Sequence, residues 1–350
     1  MSVTTVETGN GPRAFFESGL EAKPTPFDAI PLIDFGPMLS DDPAERAKVG
    51  EAVRKACTEV GFFYALNHGV PKAAIDATFG AAHKFFALPA PTKTAINVEQ
   101  SDNNRGYTPL LGENTDPNGK GDVHESFDFA LEMDPDDPDM ARGLFGYAPN
   151  QWLQTADWPE AAAFRDTLLT YHREALSFGA RIFQAFALAL ELPEDFFAPK
   201  ITKPLAVMRV LHYPPQHGAI DEKQIGSGAH SDYECFTILC TDENAALQVL
   251  NAAGEWVEAP PVEGAFIVNV GDMMERWTNG YFLSTIHRAI NRSGRQRYSI
   301  PLFFGPNPDV EIAVLDSCQA PDNPPKYDPI QAGAYVEQRI TDTFSHRQDD

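Results

Sequence analysis

Basic residues are scarce in this chain: 27 Lys and Arg stand against 50 Asp and Glu, a formal charge of −23 over 350 residues. So acidic a surface excludes non-specific binding to nucleic acid, which needs cations to displace phosphate counterions, and anionic lipid repels it. Cysteine is scarce as well. Cys57, Cys235, Cys240 and Cys318 are scattered without CxxC spacing, which excludes a disulfide framework or a zinc ribbon and suits idle thiols in a reducing cytoplasm. Long apolar runs are missing: residues 175–192 are interrupted by Arg181, Gln184 and Glu191, short of the ~18 apolar residues of a membrane helix. The start of the chain has no apolar stretch behind a basic end, so no ordinary secretory signal is read there. No solenoid-length repeat is present. What remains, with 43% hydrophobic and 22% charged residues, is a globular, cytoplasmic protein. No nucleic acid, no membrane and no obligate protein partner is implied.

Residues 1–28 read as a polar leader, expected to be poorly ordered. Residues 29–350 read as one catalytic unit. In residues 29–150, Ile30–Asp34 is a short strand and Asp41–Val60 a helix, with Asp41 or Asp42 as cap and Pro43 in the first turn. Gly61–Asn67 is an apolar strand and Pro71–Leu88 a helix. Gly112–Gly143, rich in Gly, Pro, Asn and Asp, reads as a flexible loop and candidate lid. Its acidic run Glu132–Asp139 lacks calcium-loop chemistry and is expected to be solvated. Residues 151–200 hold a long helical stretch with Leu168, Leu176, Gly179, Phe183, Phe186 and Leu190 near helical spacing. Within residues 201–310 the period changes to strands at Val207–Tyr213, Phe236–Cys240, Leu247–Leu250, Ala265–Val270, Ser284–Asn291 and Tyr298–Phe304, punctuated by turns. Residues 311–350 form a C-terminal segment and helix. Helices first and short strands after predict an α+β fold with a jelly-roll core.

Two places have a histidine followed two residues later by a carboxylate: His172-Arg173-Glu174 and His230-Ser231-Asp232. On a helix such residues lie ~200° apart, so His172 and Glu174 cannot easily share an ion. On a strand they share one face, which favours His230 and Asp232. His287 is the best third ligand. Two histidines and one carboxylate on one face suit non-haem Fe(II) with open positions, whereas zinc more often takes a tetrahedral site. Separate core histidines are the plainer alternative. Arg297 and Ser299 share a face of the next strand, and Tyr213 ends another. A guanidinium fork with hydroxyl donors is a receptor for a carboxylate, although a surface arginine would be spelled the same way.

The ordered segments MRVLHYPP, HSDYECFTIL, AFIVNVGDMM, LSTIHRAIN and RYSIPLFFGPN resemble the isopenicillin N synthase-like family of Fe(II)/2-oxoglutarate dioxygenases. IPLIDF, GFFYALNHGVP, FFALP, NRGYTPL and KYDPIQAGAYVEQRI are also similar, so the match runs from about Ile30 to Ile340. The resemblance implies a distorted double-stranded β-helix (jelly-roll, cupin-like) buttressed by N-terminal and central helices. It implies that His230, Asp232 and His287 ligate iron. Arg297 and Ser299 would then hold the distal carboxylate of 2-oxoglutarate, with Tyr213 beside them. Two positions depart from many plant members: Leu211 stands where asparagine is common, and Glu234 where glycine is common. The substrate pocket implied by resemblance includes Arg105, Tyr107, Phe127, Phe129 and Phe236, although the phenylalanines equally fit a core.

The implied reaction uses Fe(II), 2-oxoglutarate and O2, with ascorbate as an assay additive. It hydroxylates or desaturates an unactivated C–H bond of a small organic molecule and releases succinate and CO2. The nearest rival is a same-family oxidase that uses no keto acid and binds the substrate's own carboxylate at Arg297 and Ser299. A non-catalytic binding protein on the same fold would lack a ligand or the clamp, and a zinc hydrolase would need a general base beside the triad.

Overall fold

The computed structural model describes residues 3–16, 19–23, 30–101, 103–115 and 119–345. The leader, expected to be poorly ordered, contains an antiparallel hairpin, β1 (Val3–Thr8) and β2 (Gly11–Phe16). Its polar turn is ordered by buried partners far along the chain. Residues 1–2, 17–18 and 24–28 of the leader, and residue 29 after it, lie outside the described residues.

Next come β3 (Leu32–Asp34), α1 (Pro43–Glu59), β4 (Phe62–Leu66), α2 (Lys72–Phe86) and a short α3 (Ala90–Thr94). Asp42 caps α1 by accepting from the Ala44 N–H at 2.9 Å, and Pro43 fills the first turn where no N–H is needed. Gly61, at φ 75°, turns α1 into β4. A Cβ there would lie 2.2 Å from the Leu283 carbonyl, so only glycine fits.

β5 (Gly106–Thr108) is followed by β6 (Glu125–Phe129). This strand lies inside the stretch read as a flexible loop, and all five of its residues are buried. Its acids concealed it. Glu125 meets Lys93 at 2.6 Å and His212 at 2.8 Å, and Asp128 meets Arg209 at 2.7 Å. These partners make it tolerable to bury a strand with two carboxylates. The acidic run beyond it is pinned by Lys203 to Asp137 and Asp139, and by Arg165 to Glu132.

α4 (Ala161–Ala189) lies against the sheet so closely at Gly179 that a Cβ would meet the Phe304 ring at 2.8 Å. The β-rich part contains β7 (Ala206–Tyr213), β8 (Ser227–His230), β9 (Phe236–Thr241), β10 (Leu247–Leu250), β11 (Trp256–Glu258) and β12 (Ala265–Val270). After these come α5 (Asp272–Trp277), β13 (His287–Ala289), β14 (Arg297–Phe304) and, further on, α6 (Ala332–Ser345). β8, β11 and α5 have no counterpart in the sequence reading, and the expected strand Ser284–Asn291 shortens to β13.

Eight strands form one sheet in the order β3-β4-β12-β9-β14-β7-β6-β5, and four form a second in the order β11-β10-β13-β8. Only β3–β4 is parallel within them. This is an α+β fold with a jelly-roll core. Aromatic residues of α2 and α4 pack with Phe236 and Phe304 in the main hydrophobic core. Phe62, Tyr64 and Ile267 of the large sheet meet Leu247 and Val249 of the small one in a second cluster. No helix among the described residues is long and apolar enough to cross a membrane.

Candidate active site

β13 pairs with β8 so that His287 faces His230 across the ladder, with ring centroids 4.3 Å apart. β8 ends at His230, so Asp232 comes from the turn that follows and not, as the alternation argument expects, from the same strand face. Asp232 Oδ1 lies 3.7 Å from His230 Nε2 and 3.8 Å from His287 Nε2. One ligand atom from each of the three falls within 4.8 Å of the others.

The remaining polar atoms are occupied. His230 Nδ1 contacts the Gly228 carbonyl at 2.8 Å and His287 Nδ1 the Thr285 carbonyl at 3.1 Å. A carbonyl only accepts, so each Nδ1 carries the proton and each Nε2 presents a lone pair. Asp232 Oδ2 accepts from Asn269 Nδ2 at 2.7 Å and from the Thr237 hydroxyl, leaving Oδ1 for the shared point. Burial would raise the Asp232 carboxyl, but both imidazoles, Thr237 and Asn269 hold it below its ordinary range. Burial and the neighbouring His230 push His287 down to about 4 against the pull of Asp232, so it is neutral and ready to ligate at neutral pH. Two imidazole nitrogens and a carboxylate oxygen, each oriented by its other atom, fit a divalent metal with open positions.

Arg297 and Tyr213 are paired residues of β14 and β7. The guanidinium lies 4.6 Å over the Tyr213 ring, with Nε donating to the Asn244 carbonyl at 3.2 Å and Nη1 to Ser299 Oγ at 3.5 Å. All three side chains are buried, Arg297 at 2% exposure. Arg297 makes no ion pair with a described residue. The triad, Arg297, Ser299 and Tyr213 line one cavity of about 670 Å³ between the two sheets.

The expected substrate residues are distributed differently. Arg105 reaches the cavity wall, but its guanidinium donates to the Gly146 and Ala148 carbonyls and holds that loop. Tyr107 is buried behind the wall, with its hydroxyl on Glu125 at 2.5 Å. Phe127, Phe129 and Phe236 are fully buried in the helix-side core and do not line the cavity. Strand alternation explains this: Asp128 and Thr237, one residue away, face the cavity. His172, of the other triplet, is buried with Nε2 on the Ala206 carbonyl at 2.9 Å.

Sequence reasoning missed a polar wall. Arg209 holds Asp128 at 2.7 Å and Glu113 at 2.8 Å, and His124 Nε2 lies 3.1 Å from Glu113. All four line the cavity. Burial opposes ionisation of Glu113, but Arg209 and His124 hold its carboxyl well below the usual range. The signal was available, since Arg209, Leu211 and Tyr213 share one face of β7. Glu234 also lines the cavity. Its buried Oε2 has no hydrogen-bond partner among the described residues and occupies the space a Cβ on Gly305 would need. Burial and Asp232 push its pKa up to about 8.

Residues 30–155 match the family described as non-haem dioxygenase in morphine synthesis N-terminal, and residues 204–306 match the 2OG-Fe(II) oxygenase superfamily. The chain is 40% identical over 304 residues to the 2-oxoglutarate-Fe(II) type oxidoreductase hxnY of Emericella nidulans, covering 86% of each. It is 32% identical over 331 residues to a homoarginine-6-hydroxylase of Oryza sativa subsp. japonica, covering 91% of this chain and 98% of that one. Among solved structures, a full-length Neurospora crassa protein in complex with alpha-KG superposes with a TM-score of 0.81 at 27% identity, over 94% of this chain and 100% of that one. A 2OG-Fe(II) oxygenase family protein from Caulobacter crescentus gives 0.78 at 30% identity, over 90% and 99%. The chain therefore belongs to the isopenicillin N synthase-like 2-oxoglutarate-Fe(II) oxygenases. It is an oxidoreductase, a non-haem dioxygenase dependent on Fe(II) and 2-oxoglutarate.

Proposed function

We propose that His230, Asp232 and His287 hold the Fe(II). Arg297 and Ser299 receive the distal carboxylate of 2-oxoglutarate, with the Tyr213 ring bracing the guanidinium. The enzyme then hydroxylates, or desaturates, a C–H bond of a small organic molecule in the same cavity. The observation that carries this reading is Arg297, a buried guanidinium that lines the cavity of the triad and has no acidic partner among the described residues. Such a charge is costly unless an anion arrives to pair with it, and a bidentate carboxylate matches its fork.

When bound, iron supplies the oxidative decarboxylation of 2-oxoglutarate by O2 to succinate and CO2, and the oxidising power directed at the substrate C–H bond. The protein's contribution is placement. Asn269 and Thr237 keep Asp232 from rotating, and the two backbone carbonyls fix the imidazole tautomers. Leu211, Leu239 and Leu247 give the cavity apolar lining, while Arg209, Glu113, His124 and Asp128 offer the substrate polar contacts. Residues 29–350 act as one unit, because β3–β6 of the N-terminal part complete the same sheet as β7, β9, β12 and β14. The four buried, unpaired cysteines suit the cytoplasm.

The test is oxygen consumption and succinate release by the iron-loaded enzyme with and without 2-oxoglutarate. Both should require the keto acid. Oxygen consumption that proceeds without it would contradict the reading.

A further inference from the structure

The amino-terminal hairpin lies outside both matched family segments, yet its turn ends next to the residues that frame the triad. The Gly9 N–H donates to Asp272 Oδ2 at 2.7 Å. Asn10 Nδ2 donates to the Asp272 carbonyl at 3.0 Å and to Glu275 Oε2 at 2.7 Å. Arg13 reaches both the Glu275 carboxylate and the Ser284 carbonyl. Asp272 is fully buried. Its carboxylate accepts from Ser231 Oγ at 2.9 Å and from Ser284 Oγ at 2.6 Å, and its N–H donates to the Asp232 carbonyl at 2.8 Å. Ser231 separates His230 from Asp232, and Ser284 lies three residues before His287. One carboxylate thus ties together the two backbone turns that carry the triad.

Asp272 and Glu275 are buried side by side on α5, and Arg13 makes the only ion pair with either among the described residues. Without a cation there, two carboxylates would share a dry site, which is costly. The hairpin also approaches α6. A Cβ on Gly9 would lie 1.7 Å from the Tyr335 hydroxyl, and Val336 and Ile340 of the same helix line the cavity.

We infer that the hairpin is a positioning element for the metal centre: Asn10 and Arg13 hold Asp272 and Glu275, which set the spacing of the two backbone segments bearing His230, Asp232 and His287. This rests on the proposed assignment of the triad.

The test uses the full-length, metal-free protein and Co(II) as a spectroscopic probe, titrated by visible absorption. Wild type is compared with Arg13→Ala, Arg13→Lys, Asn10→Ala, a deletion of residues 2–16, and His287→Ala. Arg13→Ala and the deletion are expected to weaken Co(II) binding by more than about twofold, up to the about 10- to 100-fold that loss of a direct support of a ligand costs, and to alter the shape of the Co(II) band. Arg13→Lys should recover part of the loss. Where the deletion fails to fold, Arg13→Ala and Asn10→Ala carry the test. Binding within twofold of wild type in the folded variants would overturn the inference, even if they melt at lower temperature, because that result describes a merely structural hairpin. If His287→Ala bound Co(II) like wild type, the triad assignment itself would fall, whatever the hairpin variants did.

Discussion

His172 and Glu174 stand on α4, and His230 and Asp232 stand at the end of β8 and in the turn beyond it, although the two triplets have the same spelling. On the helix, the two-residue step sends the side chains apart. His172 turns into the core and commits Nε2 to the Ala206 carbonyl, while Glu174 is half-buried elsewhere on the helix surface. At the end of β8 the backbone carbonyls take the Nδ1 protons, and Thr237 and Asn269 take one oxygen of the acid. Three uncommitted ligand atoms converge there. The difference teaches that a ligand set is defined by what occupies the other atom of each side chain as much as by spacing.

The largest effect that sharpens this contrast is on metal binding. Asp232→Ala should lose stoichiometric Fe(II), with affinity reduced by more than about 100-fold, the upper end of what support residues cost. Glu174→Ala should bind iron as wild type does. Metal content after desalting decides it, and equal behaviour of the two variants would empty the contrast. A smaller effect is expected from Asn269→Ala, which leaves Asp232 free to turn. Iron affinity should fall about 10- to 100-fold by equilibrium titration while the metal stays in the same site.

The last effect is on stability and not on metal binding, and it concerns the structural histidine. Burial pushes His172 down to about 4, while the unfolded side chain titrates near 6.5. The unfolded chain therefore binds more protons between those values, and the stability this histidine contributes is lost as pH falls from about 6.5 toward 4. The loss is up to about 3 kcal/mol. Urea midpoints at pH 7 and pH 4.5 should show a shallower acid slope in His172→Gln than in wild type. An unchanged slope would show that His172 is not held neutral.

Much of the candidate site was legible in the sequence because its signals are local. The α1 cap, the strand ending in Tyr213, and the Arg297–Ser299 step on β14 each depend on neighbours a few residues apart. Other features were not legible, for identifiable reasons. The leader hairpin depends on Asp272, 263 residues from Gly9, so its own polar composition suggests disorder. β6 looks like loop because its two acids are compensated by Lys93, His212 and Arg209 from other elements. The assignment of Phe127, Phe129 and Phe236 to the pocket missed by a single residue, because strand phase cannot be fixed until the sheet's two faces are known. Glu234, flagged only as a departure from family usage, proves to be a buried carboxyl on the cavity wall, one oxygen of which has no partner among the described residues.

The most direct measurement is the visible spectrum of the metal-free protein under argon after addition of Fe(II) and then 2-oxoglutarate. A new charge-transfer band is expected in wild type, and its loss in Arg297→Ala at the same keto-acid concentration would join triad and clamp in one observation. Iron bound without any band in wild type, or a band undiminished in Arg297→Ala, would contradict the assignment of this cavity as the 2-oxoglutarate site.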